Sequence, residues 1–390
     1  MKSFLFISGM FRSGTTLLGR LLNAHREIGI ATDPYLYFFK SFRNKIAKIH
    51  KIKVDPDEPL NDYYFSIEQL TLFNEIQNTS FDIAFNSSNI DKFRKEIYSG
   101  GINYSPLIMP HLDEITGKTY KELFNSMLGL LSKHYGDDDH KIIGFKEVWT
   151  DEFIAPMART FPESKFIQII RDPRAVCASK KASSRAYPWL FLARQWRKLA
   201  ALAWSYQQRN WDFSQRVLLV KYENLIRNPK KIAKNICKFL EIDFDQQMTN
   251  PRNFVDGRGE KWLQNTSFGN GKREFDTDSI NKWQDTLTDY EIGYIESLCG
   301  PEMKLHGYEP QEDIKKISPE FILSPPKVFN KDLANWIKRY VQNDSVNVSL
   351  QTAQEQIRYE LLNYKDTQSV DKQLIETCYL FCKLFMKLAG

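Results

Sequence analysis

The residues best suited to chemistry lie in Ser3-Phe-Leu-Phe-Ile-Ser-Gly9-Met-Phe-Arg-Ser-Gly14-Thr-Thr-Leu-Leu18. An apolar strand runs here into a glycine-bearing loop and then into the start of a helix. Gly9 and Gly14 have the GxxxxG spacing of a phosphate-binding loop, in which backbone N–H groups and a helix N-terminus surround anionic oxygens. A nucleotide triphosphatase carries lysine after the second glycine. This chain has Thr15 there, and its cation stands earlier, at Arg12. The loop suits a phosphate-type ligand better than it suits cleavage of a γ-phosphate. A second candidate is Asp33. The run 28–33 reads as a short strand that Pro34 ends, which leaves a carboxylate at a strand's C-terminal tip, where open α/β sheets bind ligands.

Residues that must act together need a framework, and the hydrophobic pattern supplies one. A strand over 3–8 leads through loop 9–14 to a helix from Thr15 to about Asn23, with Leu17, Leu18, Leu21 and Leu22 as its apolar stripe. Residues 35–140 alternate aromatic and basic side chains irregularly, which predicts helices and long loops inserted into the framework. Strand and helix patterns then alternate again: strand 141–148, helix 150–161, strand 165–172, a helix opened by Pro173, and a long helix over about 190–213. Strand 216–223 follows, and Asn228-Pro229 starts a helix to Leu240. Beyond 251 the chain turns polar and glycine-rich, and Thr288-x-x-Glu291 is a capping box. Pro325-Pro326 reads as a linker, before helical periodicity through Leu333, Trp336, Ile337 and Tyr340. The expected fold is α/β: a three-layer P-loop-type core with a mostly parallel central sheet, a helical insertion at 35–140 and a helical C-terminal extension at 311–390.

Four marks, in order and each in a matching context, give the chain a family resemblance. They are Arg12-Ser-Gly-Thr-Thr16 after the first strand, Phe145-Lys-Glu147 in a middle strand, Arg171-Asp-Pro-Arg174 with Ser179, and Lys221-Tyr-Glu223 at a strand end. Together they resemble the PAPS-dependent sulfotransferase family, nearest in pattern to its bacterial-type and tyrosylprotein-type branches. The likeness covers about residues 3–310, which would form the sulfotransferase domain. It implies PAPS as sulfuryl donor and PAP as product, hence two separated anion sites. The first would be Ser13, Gly14, Thr15 and Thr16 with Arg12. The second would pair Arg171 with Ser179 on the 3′-phosphate, with Arg174 and Lys180 as solvated neighbours. Tyr222 resembles the family tyrosine near the nucleotide. Lys272 and Arg273 resemble a basic segment that closes over it, with Asn265 and Ser267 as polar contacts. Lys146 stands where the family places a catalytic lysine, and Arg12 would serve the leaving phosphate. Asp33 takes the place of the tyrosylprotein branch's glutamate base, one methylene shorter; His111 is the alternative base. His25 reads as a structural helix-end histidine. No metal is expected.

Composition sets the outer bounds. With 390 residues, 42% of them hydrophobic, the chain can bury a substantial core. Its net charge of +6 fits an anionic small ligand and gives little support for a nucleic-acid partner. Five scattered cysteines without a C-x-x-C pair exclude a disulfide scaffold and a zinc motif. No apolar run reaches the length of a membrane span, and the N-terminus lacks the form of a signal peptide, so the expected location is cytoplasmic. The acceptor would be a hydroxyl or amine of a small molecule or oligosaccharide, with the aromatic-rich insert building its pocket and basic residues 43–53 forming a solvated helix face. The 311–390 extension reads equally as a packing lid, a dimerisation element or a docking segment, so a homodimer stays open. Two readings compete with sulfuryl transfer: a P-loop nucleotide kinase or NTPase, and a non-catalytic relative that binds nucleotide or a partner.

Overall fold

Five short apolar runs form one parallel sheet in the computed structural model of the chain: β1 (Ser3–Gly9), β2 (Ile28–Thr32), β3 (Ile142–Lys146), β4 (Lys165–Ile170) and β5 (Val217–Lys221), in the order β2-β3-β1-β4-β5. The structure describes residues 2–57, 60, 67–181, 189–208, 211–262, 275–311, 345–364 and 366–389. The strands read as unbroken apolar runs because both faces of such a sheet are covered. The register pairs Ile7 and Thr32 with Lys146, and Ile170 with Lys221. All five C-terminal ends therefore emerge on one edge. The central β1 carries its loop between the ends of β3 and β4, where the order reverses and ligands bind such sheets.

The chain divides into two interleaved units. The first holds Met1–Ile46, Glu75–Arg171 and Arg209–Asp278, and includes the whole sheet. Its helix α1 (Thr15–Asn23) has the expected bounds, and Leu17, Leu18, Leu21 and Leu22 are fully buried. The 35–140 insert, which falls partly in each unit, is helical as expected, with helices Leu36–Ile49, Ile67–Asn78, Ile90–Gly101 and Tyr120–His134. Four of its aromatics are core. Tyr35, Phe38, Phe39 and Phe42 are completely buried and meet Phe81, Phe145 and Phe153 with ring centroids 4.8–5.5 Å apart. Rings packed edge to face at such distances are core, so this stripe does not line an acceptor pocket. Arg43 is likewise buried, donating to Asn44 Oδ1 at 2.9 and 2.8 Å, rather than part of a solvated basic face. Strand β5 stops at Lys221, two residues early, because Tyr222 opens a short helix, Tyr222–Arg227.

The second unit comprises Ala47–Asn74, Asp172–Gln208 and Ser279–Gly390. Its helices include Pro173–Lys181, Trp189–Gln207, Asp289–Leu305, Ser345–Leu362, Lys372–Cys378 and Cys382–Ala389. Both bonds of the Thr288/Glu291 capping box form. Helix Ser345–Leu362 is held by buried charge: Arg197 grips Glu355 through two bonds of 2.6 Å, and Arg358 pairs with Glu302. Burial pushes the Glu355 carboxyl up, but Arg197, Arg194 and Arg358 more than offset it and hold it at about 2. Pro325-Pro326 and the stripe from Leu333 to Tyr340 lie outside the described residues. Among the described residues no helix is long and apolar enough to cross a membrane.

Candidate active site

Each strand of the sheet delivers a sequence-predicted residue to the shared edge. Asp33 follows β2, Lys146 ends β3, the Met10–Gly14 loop follows β1, Arg171 follows β4, and Tyr222 follows β5. Three residues here, Arg12 (φ 71°), Asp33 (φ 45°) and Trp149 (φ 62°), hold left-handed backbone without being glycine. The other two such residues among those described, Lys51 and Glu241, come just after helices. Strain of this kind persists where surrounding structure fixes a functional geometry.

The loop is built from inside. Ser13 is fully buried, and its N–H and hydroxyl both donate to the Met10 carbonyl. Gly9 is required by close approach, since a Cβ there would stand 2.4 Å from the Ile169 carbonyl oxygen. Gly14 caps α1 with φ 94° and offers no side-chain bond to the helix. The first intrahelical bond runs from Leu18 N to Gly14 O. The N–H groups of Gly14, Thr15, Thr16 and Leu17 therefore lack helical acceptors, and the positive end of the helix dipole is left for an anion. Thr15 is buried, while Arg12, Gly14 and Thr16 are half-buried.

Arg171 ties the loop to the end of β5. Its Nη1 donates to the Arg12 carbonyl at 3.0 Å, and its guanidinium lies 4.2 Å from the centre of the Tyr222 ring. The same ring packs on Gly14, where a Cβ would come within 2.4 Å of Cδ2. Arg12, Gly14, Arg171 and Tyr222 thus form one cluster. Ser179 belongs to the second unit, on the helix that starts two residues after Arg171. Arg174, expected to be solvated, is buried in that unit against Asp172 (2.7 Å), Glu296 (2.6 Å) and the Trp283 ring. Its neighbours are carboxylates, so it is a structural cation. Asn265, Ser267, Lys272 and Arg273 lie outside the described residues.

On the other side of the loop, Lys146 donates its ammonium to Asp33 Oδ2, with side-chain exposures of 2% and 17%. The backbone reinforces the pair, because Asp33 N donates to Lys146 O at 2.7 Å. Two residues that sequence reasoning left without a role stand beside them. Arg20, on α1, is buried; burial lowers its guanidinium, while Asp256, Tyr135 and Asp33 oppose that shift. Glu147 follows Lys146 and is 1% exposed; its Oε2 accepts from Tyr35 N at 2.9 Å. Burial pushes the Glu147 carboxyl well above the carboxylate range, and the Asp33 charge pushes it further, against the Tyr35 N–H and Lys146. A carboxylate next to the motif lysine was the available signal. Strand alternation sends neighbours to opposite faces, but β3 ends at Lys146 and frees Glu147 from that rule.

The turn after β3 is itself anchored. Asp151 accepts from Ser8 Oγ at 2.6 Å and from Gln168 Nε2 at 2.7 Å, tying β1 and β4 to it. His111 stands elsewhere, stacked on His134 at 4.2 Å with Glu114 3.7 Å from its Nδ1. Among the described residues nothing bonds it to Asp33 or Lys146. His25 is buried and bonds the Asp243 carbonyl at 2.8 Å, a structural histidine as expected.

The family described as "Sulfotransferase family" matches residues 5–246, more than half of the chain. A putative protein-tyrosine sulfotransferase of Caenorhabditis briggsae is 24% identical over 169 residues, 42% of this chain and 59% of its own length. Protein-tyrosine sulfotransferase A of Caenorhabditis elegans is 20% identical over 354 residues, covering 87% of this chain and 76% of its own. Carbohydrate sulfotransferase 3 of Tetronarce californica is 26% identical over 188 residues, 42% of this chain and 40% of its own. The chain thus spans about three-fifths of the first of these relatives. A solved sulfotransferase domain from the Synechococcus PCC 7002 olefin synthase covers 74% of this chain and 90% of its own at 18% identity, with a TM-score of 0.44.

Proposed function

Because the chain belongs to the sulfotransferase family, we propose that it moves a sulfuryl group from PAPS to a hydroxyl or amine of a small-molecule or glycan acceptor by in-line displacement. One observation supports this reading most. An uncapped helix N-terminus with two arginines shares a sheet edge with a buried lysine–carboxylate pair. A donor carrying phosphosulfate and a separate 3′-phosphate needs two cationic anchors, and the transfer needs a cation and a base beside them.

The roles follow from position. The Gly14–Thr16 N–H groups and Arg12 hold the 5′-phosphosulfate and neutralise charge that grows on the departing phosphate. Arg171, stacked on Tyr222, takes the 3′-phosphate, with a planar fork suited to paired oxygens. Ser179 joins it on sequence spacing alone. Lys146 faces the transferring SO₃ and Asp33 accepts the acceptor's proton. A new bond forms from sulfur to the acceptor atom, the bond from sulfur to the phosphate oxygen breaks, and its electron pair leaves with PAP. As in phosphoryl transfer, the protein's contribution is positioning and electrostatics. The relatives are named for protein tyrosine and for carbohydrate; both offer hydroxyls, which favours O-sulfation.

The test is a screen of hydroxyl and amine acceptors with PAPS, read by mass spectrometry for an added sulfo group and matching PAP. Phosphoryl transfer from ATP instead would establish the kinase reading. PAP binding without turnover on any acceptor would establish the non-catalytic one.

A further inference from the structure

Asp33 meets the buried Lys146 and Glu147 with one hydrogen-bonding position unfilled. Asp33 Oδ2 accepts from Lys146, whereas Asp33 Oδ1 is buried and meets no donor in the structure. Glu147 is the carboxyl beside it, held by Tyr35 N–H on Oε2 and by its own N–H on the Ile7 carbonyl at 2.9 Å. Two ionised carboxylates cannot bond each other, since both only accept. A buried acceptor left without a donor is destabilising, because it has given up its bonds to water. A single proton between the two carboxyls removes that cost, and it also leaves the trio neutral, with one carboxylate against one ammonium.

The surroundings decide which carboxyl carries the proton. Asp33 is partly exposed, receives the lysine and faces the buried Arg20 of α1. Glu147 is dry, and the charged groups facing it are the Asp33 carboxylate and Lys146. Resting on the reading of Asp33 as the base, we propose that Glu147 is a protonated positioning residue whose carboxyl O–H donates to Asp33 Oδ1. The role follows from the mechanism. When Lys146 turns to the oxygens of the anionic donor, Asp33 loses the bond on Oδ2 and would be free to rotate. Glu147 keeps it anchored through Oδ1, so Oδ2 is both bare and aimed when it takes the acceptor's proton. Glu147 keeps its own proton throughout.

The experiment compares the full chain with Glu147→Gln and Glu147→Leu. Difference infrared spectra at neutral pH should show a neutral carboxylic-acid C=O band in the wild type that deuterium shifts and Glu147→Gln removes. In PAPS turnover, glutamine can still donate an N–H to Asp33 and accept from Tyr35, so kcat should stay within about threefold. Leucine offers no donor, and kcat should fall roughly 100-fold, the scale of a misplaced general base, with PAP affinity unchanged as evidence that the site is folded. Glu147→Gln should also abolish any loss of kcat at alkaline pH that arises from ionising Glu147. If the spectra of wild type and Glu147→Gln show no difference in acid C=O, Glu147 is ionised and the proposal fails whatever the activities are. If the band is present but the glutamine and leucine variants lose kcat equally, the positioning role fails. A wild type without PAPS turnover would instead overturn the functional reading, an outcome the infrared band does not depend on.

Discussion

Gly14→Ala perturbs the phosphate loop at its narrowest point. The new Cβ would lie 2.4 Å from Tyr222 Cδ2, so the ring must retreat by about 1 Å to reach ordinary contact. Tyr222 is fully buried, and moving it overpacks the interior at a cost of about 1–3 kcal/mol. The backbone adds about 1–2 kcal/mol, because an L-residue must hold the φ of 94°. Displacing the ring also weakens its stack on Arg171, worth roughly 0.5–2 kcal/mol. The expected result is a loss of about 2–5 kcal/mol of stability and a fall of tenfold or more in PAP affinity, since the loop N–H groups and Arg171 shift together. Thermal unfolding and calorimetric titration read the two quantities. The control is Gly129→Ala, inside helix Tyr120–His134, where a Cβ meets nothing within 4 Å. It should gain up to about 1 kcal/mol and leave PAP affinity unchanged. Wild-type melting and affinity in Gly14→Ala would refute the coupling of the Gly14 loop to the Tyr222–Arg171 stack.

The other predictions concern catalysis, recognition and pH. Lys146→Ala should lower kcat at least 100-fold on the scale of lost electrostatic stabilisation, yet leave PAP affinity within about threefold, because PAP lacks the sulfuryl group that the proposed mechanism sets against the lysine; steady-state kinetics and titration separate the two. Arg171→Lys should weaken PAP binding about tenfold or more while barely changing the affinity for adenosine 5′-monophosphate, since a lysine cannot reproduce both the bond to the Arg12 carbonyl and the stack on Tyr222. Glu355 is held at about 2 when folded, so its stabilisation is complete above the unfolded carboxylate value and is lost as pH falls towards 2. Glu355→Gln should therefore cost about 3 kcal/mol at neutral pH and flatten the acid limb of the melting profile.

The framework was legible wherever one local rule governed it. The helix Thr15–Asn23 was set by its leucine stripe, and Thr288-x-x-Glu291 gave a capping box that forms. The strand tips were legible for the same reason: proline and charge end apolar runs, and the parallel order then gathers Asp33, Lys146, Arg12 and Arg171 along one edge. What escaped depends on burial, which spacing does not encode. The aromatics from Tyr35 to Phe42 look alike as pocket wall and as core until the elements packed on them are known. Arg174 looks solvated until Asp172, Glu296 and Trp283 close around it. Glu147 follows the motif lysine directly, and only the end of β3 at Lys146 frees it to stand beside Asp33. Tyr222 was found as a residue but placed on a strand, since a strand end and a helix start share the same apolar-then-polar signature.

The central claim is that this sheet edge binds two phosphate groups of an adenosine nucleotide rather than a triphosphate. Calorimetric titration of the wild-type chain with adenosine 3′,5′-bisphosphate, followed by competition with ATP, measures it directly. The account predicts one tight site for the bisphosphate, at least tenfold weaker binding of adenosine 5′-monophosphate, and no displacement by equimolar ATP. Equal binding of bisphosphate and monophosphate, or preference for ATP, would contradict it.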